Sequence, residues 1–174
     1  PDYPIWSGCF WGLDELPVSP AVATTKMLKT DGITITLDDM HDAGGLTIEV
    51  EPPVVANPLN AVFDSNGIEI TADPATIKIT PEEIEISLSP AVIKLSESAL
   101  EMEHSPSTMS LTPDDVVISH ESAEVKLSES GIELANSPAE VKLTSSGVEI
   151  VNDGANVKLD AVTVKINDGA LEVM

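Results

Sequence analysis

Apolar and polar residues alternate along most of this chain. The clearest stretch is "AEVKLSESGIELANSPAEVKLTSSGVEI", residues 123–150, which says nearly the same thing twice, sixteen residues apart. Stepping by sixteen gives a first ladder of Lys78, Lys94, Ser110, Lys126, Lys142 and Lys158. A second is Glu69, Glu85, Glu101, Val117, Glu133 and Glu149, and a third is Pro58, Pro74, Pro90, Pro106, Ser122, Pro138 and Gly154. Ladders that share one period define repeat units at 59–74, 75–90, 91–106, 107–122, 123–138 and 139–154, then a shorter unit at 155–169 and a stub at 170–174.

Within each unit the apolar residues fall at positions 3, 5, 10 and 12, as in Ile77, Ile79, Ile84 and Ile86, or Val125, Leu127, Ile132 and Leu134. A spacing of two with a charge between is the strand signature. Proline, glycine and small polar residues then break each run. Every unit reads as two short strands and two corners. A proline recurring every sixteen residues excludes a helix here. Upstream, the runs Ile33–Ile35–Leu37 and Leu46–Ile48–Val50 predict two strands around a turn containing "DAGG".

Sixteen residues suit a single-chain solenoid poorly, because three faces per coil need about eighteen or more. They suit three chains that wind together, each moving to the next face of a triangular prism at every corner. The strands above and below would then come from other chains, which also removes unpaired strand edges. The fold class expected is all-β: an intertwined trimeric triple-stranded β-helix, or β-prism needle. Its inward ladder is Ile77, Ile79, Ile84, Ile86, Val125, Leu127, Ile132, Leu134, Val141, Leu143, Val148 and Ile150. Strands ~4.8 Å apart would give residues 59–174 a length on the order of 65–70 Å.

Composition sharpens this picture. The chain has 174 residues with 30 acidic and 8 basic, a net charge of −22, and every basic residue is lysine. Nucleic acid and anionic lipid need clustered Lys and Arg, so neither is an expected partner. Disorder, the other reading of such acidity, conflicts with the alternation and with 42% hydrophobic residues. Tyr3, Trp6, Phe10 and Trp11 open the chain, and Phe63 is the only later aromatic. A core without aromatics is expected to be narrow. Cys9 is the only cysteine, so no intrachain disulfide can form, and packing among aromatics is its expected role. No apolar run approaches a membrane span. With no Met at its start and no visible signal peptide, the sequence is expected to be part of a longer or processed chain.

"DYPIWSGCFWG…ELP" followed by "KMLKTDGITITLDD…AGGLTIE" resembles the baseplate assembly protein V and valine-glycine-repeat spike family of contractile phage tails and related injection machines. The resemblance implies the last strands of an OB-fold and a linker in residues 1–25, neck strands in 26–58 and the trimeric needle in 59–174. It implies a homotrimer in the virion baseplate, or in an equivalent injection particle. The baseplate hub would lie at its N-terminal end, and it would touch the target cell envelope transiently.

Candidate chemistry is sparse. His104 and His120, sixteen apart, are expected to stack on one outer edge as solvated corner residues rather than as a metal site, and His41 to lie on the surface. Some needles of the family hold iron through a His-x-His pair, and no such pair occurs here. The Asp-Gly pairs at 153–154 and 168–169 lack the dense pattern of calcium β-rolls and read as turns. No cofactor or metal is expected. No G-x-S-x-G occurs, and carboxylates so evenly spread mark a solvated face, so no enzyme is expected. "ALEVM" ends the sequence on apolar residues. Leu171, Val173 and Met174 are expected either to plug the prism or to dock a protein, which the resemblance implies would be a conical PAAR-type tip. The reading is a non-enzymatic, cell-puncturing spike. Its alternatives are a trimeric tail-fibre or tailspike stem carrying a head elsewhere, and a single-chain β-solenoid enzyme or adhesin.

Overall fold

A computed structural model describes residues 22–168 and 170–173. The chain divides into two units, Pro1–Asp73 and Pro74–Met174. The first contains β1 (Thr25–Lys29), β2 (Ile33–Asp38), β3 (Gly45–Val50), β4 (Leu59–Asp64) and β5 (Gly67–Ala72). The second contains β6 (Ala75–Ile79), β7 (Glu83–Leu88), β8 (Ala91–Ser96), β9 (Leu100–His104), β10 (Ser107–Leu111), β11 (Asp115–His120) and β12 (Ala123–Ser128). It continues through β13 (Gly131–Asn136), β14 (Ala139–Thr144), β15 (Gly147–Asn152), β16 (Ala155–Leu159), β17 (Val164–Ile166) and β18 (Leu171–Val173). No helix occurs among the described residues. The two strands expected upstream are β2 and β3, and β1 joins them as a third.

Inside each unit, successive strands pair antiparallel with their neighbours in sequence, so each unit is a meander. This explains the period. A six-residue strand plus a two-residue turn makes eight, and one hairpin makes sixteen. The register then merges the lysine and glutamate ladders into one column: Lys78 opposite Glu85, Glu85 opposite Lys94, Lys94 opposite Glu101. The column resumes as Lys126 opposite Glu133, Lys142, Glu149 and Lys158 in turn.

This pairing corrects one expectation. The strands above and below were to come from other chains. Instead β13, for example, has β12 and β14 of its own chain on its two edges, with six residue pairs to each. A strand has only two hydrogen-bonding edges, so none is left for another chain. A two-residue turn closes an antiparallel pair locally, without the loop entropy of reaching another chain.

Two turn chemistries serve one lateral edge of the second unit. In one, a side-chain oxygen gathers backbone donors. Thr112 Oγ1 accepts from the N–H of Asp114 at 3.2 Å and of Asp115 at 3.0 Å, and Asp160 Oδ1 accepts from Val162 at 3.0 Å and Thr163 at 2.9 Å. In the other, glycine takes a positive φ, +142° at Gly131 and +148° at Gly147. A Cβ at Gly147 would lie 1.9 Å from the Leu159 carbonyl oxygen, so the close approach requires glycine there.

Candidate functional site: an uncovered apolar face

Alternation puts every second side chain of a strand on the same face. With the observed register, one face of β12–β15 gathers Val125, Leu127, Ile132, Leu134, Val141, Leu143, Val148 and Ile150. Ile77, Ile79, Ile84 and Ile86 likewise face each other in pairs across β6 and β7. The twelve residues of the expected inward ladder therefore share sheet faces as opposed pairs. The first unit repeats the arrangement, with Ile35 opposite Ile48, Ile48 opposite Ala61 and Ala61 opposite Ile70.

Among the described residues of the unit, none covers this face. No hydrophobic side chain is buried among the described residues, and Leu127, Ile132, Leu134 and Ile150 are 40–45% exposed. Burying apolar area is the dominant favourable term in folding and association. A sheet whose ladders are complete but whose apolar face is open needs another surface against that face.

The reverse face is the charged one, and four of its lysines are paired with carboxylates. Lys94 reaches Glu85 at 3.1 Å, Lys126 reaches Asp115 at 2.8 Å, Lys142 reaches Glu140 at 3.0 Å and Lys158 reaches Glu149 at 2.9 Å. The hydrogen bond from Lys126, and then that from Thr112, hold the Asp115 carboxyl below its ordinary range, and the same bond raises Lys126. A hydrogen bond shared with Glu140 raises Glu133 and lowers Glu140, which also receives one from Lys142. In water such pairs favour one register and keep that face hydrated, and they contribute little stability.

The histidines are exposed as expected, but two of them fall on the other face of the sheet. His41 is indeed on the surface, its side chain 91% exposed, with Nδ1 2.9 Å from the Asp42 carboxylate. His104 and His120 do stand at corners, as the last residues of β9 and β11. They lie on the apolar side, not the outer one: each is opposite Ser107, in the same alternation as Met102, Met109 and Ile118. Ser107 Oγ is 2.7 Å from His120 Nδ1. Counting two residues on from Met102 and Ile118 would have found this placement. No group of three or more His, Cys, Asp or Glu converges among the described residues. Asp153 and Asp168 take positive φ in turns, as their Asp-Gly pairs suggested.

In β18, Leu171 lies opposite Ile166 and is 55% exposed, and Val173 lies opposite Val164. Met174 lies outside the described residues, as do Tyr3, Trp6, Phe10, Trp11, Cys9 and residues 1–21 of the segment expected to end an OB-fold.

An all-β meander with one open apolar face and one paired charged face defines an assembly protein: its face is completed by copies or partners, not by its own core. The comparison with known families agrees. Residues 100–172 match the phage baseplate V C-terminal trimerisation domain, from the first residue of β9 into β18. The match supports the baseplate spike protein family, with a homotrimer as the assembled form and a structural role in the phage tail baseplate of the virion. No curated protein and no solved structure matches the chain.

Proposed function

We propose that the chain is the cell-puncturing spike of a contractile tail or related injection machine: a rigid homotrimeric needle that pierces the target cell envelope. The observation that carries this reading is the continuous apolar face of a sheet whose hydrogen-bond ladders are already complete. Three such faces turned toward one axis bury one another and leave the paired charges outside. Each chain contributes its own sheet to the needle. A load along the stack of strands is shared by many backbone hydrogen bonds, so stiffness needs no special residue. No active-site group takes part.

The exposed Leu171, with Val173 and Met174, forms the apolar docking end for a PAAR-type tip protein, and the N-terminal end joins the baseplate hub. The runner-up is a trimeric fibre or tailspike stem supporting a receptor-binding or sugar-cleaving head. The same sheet would serve it, and the two readings part at the tip.

Light scattering on the purified chain tests the assembly. Three times 18.3 kDa, about 55 kDa, is expected, and a mass of 18.3 kDa would overturn the proposal. Mass spectrometry of tail particles tests the tip. Particles with residues 171–174 deleted should keep the spike and lose one small protein. Loss of nothing would favour the stem.

A further inference from the structure

The second unit sets its trimer a problem of register. Val125 lies opposite Leu134 and Val141 opposite Ile150, and Leu127 lies opposite Ile132 as Leu143 does opposite Val148. The contact face therefore repeats every two strands, about 9.6 Å. A copy displaced along the axis by one hairpin would meet nearly the same side chains. Hydrophobic attraction is non-directional, so these columns discriminate weakly between the aligned and the displaced arrangement.

The repeat is interrupted on that face at β9–β11. Met102 lies opposite Met109, where the hairpins to either side put Ile, Val and Leu. Beside them runs a polar column, His104 opposite Ser107 opposite His120, tied by the Ser107–His120 hydrogen bond of 2.7 Å. The matching positions are Leu88 and Ala91 before it, and Ala123, Asn136 and Ala139 after it. On the reverse face the alternating charges also lapse here, at Ser110 opposite Val117. The same strands border an open cleft of 460 Å³ lined by Ile93, Met102, Met109, His104 and His120.

Resting on the trimeric reading above, we propose that β9–β11 sets the axial register of the three chains. Aligned chains bring their methionine pairs and their His–Ser–His columns to one level. A copy displaced one way carries His104 and Ser107 to the level of Leu88 and Ala91, where polar groups meet apolar surface without hydrogen-bond partners. Displaced the other way, flexible Met102 and Met109 come level with stiffer Ile118 and Val125. A polar position in an apolar seam fixes the register of coiled coils by the same physics, at some loss of stability.

The test replaces the interruption with residues from neighbouring hairpins: Met102→Leu, His104→Asn, Ser107→Ala, Met109→Val and His120→Asn. Both the parent and this variant carry Cys9→Ser and one spin label at an exposed turn, through Ser145→Cys. Light scattering first establishes that each is a trimer; a monomeric parent would refute the trimeric reading itself. The parent should then give one interlabel distance. The variant should keep the trimer mass and add a second distance, from an axial offset of about 9.6 Å. A single parental distance in a trimeric variant would overturn the proposal and assign register to the unaltered first unit or to residues before it. Loss of the trimer would overturn it as well, by showing that these residues supply affinity instead of register.

Discussion

Leu127→Asp probes the apolar face most directly. Leu127 lies between Val116 and Ile132 on that face and keeps 41% of its surface exposed within one chain. Fully burying a leucine is worth about 1.5–3 kcal/mol, so covering the exposed part contributes about 0.6–1.2 kcal/mol per chain and about 2–4 kcal/mol per trimer. The aspartate forfeits this and adds a charge. No lysine shares the apolar face of β11–β13 to pair with it. An unpaired carboxylate withdrawn from water costs several kcal/mol, and there are three of them. The total is on the order of 10 kcal/mol, enough to abolish assembly at micromolar concentration. Light scattering at pH 7 should return a single-chain mass. Burial raises the carboxyl's pKa, so assembly should recover as pH falls and the group becomes neutral. Ser130→Asp, in an exposed turn, should leave the trimer intact. A Leu127→Asp trimer as stable as the parent at pH 7 would refute the assignment of the contact face.

Gly147→Ala and Gly154→Ala form a contrast in thermal melts. The first puts a Cβ 1.9 Å from the Leu159 carbonyl oxygen at φ +148° and should cost roughly 1–3 kcal/mol or more, while the second meets nothing within 4 Å and should stay within about 0.5–1 kcal/mol of the parent. Equal melting points would remove the close-approach argument. Asp115 predicts a pH dependence. Its folded pKa is lowered by Lys126 and Thr112, so its stabilisation is present above the unfolded carboxylate pKa of about 3.9 and is lost as pH falls through the lower folded value. Lys126→Met should flatten that part of the acid limb in chemical denaturation, and an unchanged limb would show that the pair contributes nothing.

Much of this protein was legible before any coordinates. Strand content, the eight-residue strand-plus-corner and the apolar ladder from Ile77 to Ile150 follow from spacing alone, because a pleated strand allows only a period of two and the corners carry their own turn residues. What spacing could not show was which chain supplies a strand's neighbours. Lys126 sits sixteen residues from Lys142 whether three chains intertwine or one chain folds back, since both give two strands per period. Only the pairing of Lys126 with Glu133 of its own chain decides it. The same register turned two ladders into one column of opposed charges and carried His104 and His120 from the supposed outer edge to the apolar face. A one-residue change of phase moves a side chain through the sheet, and phase is a property of the register, not of the period. The sequence by itself therefore determined that there is a repeated apolar face. The tertiary structure decided that each chain completes its own ladder and that what remains open is a face, not an edge.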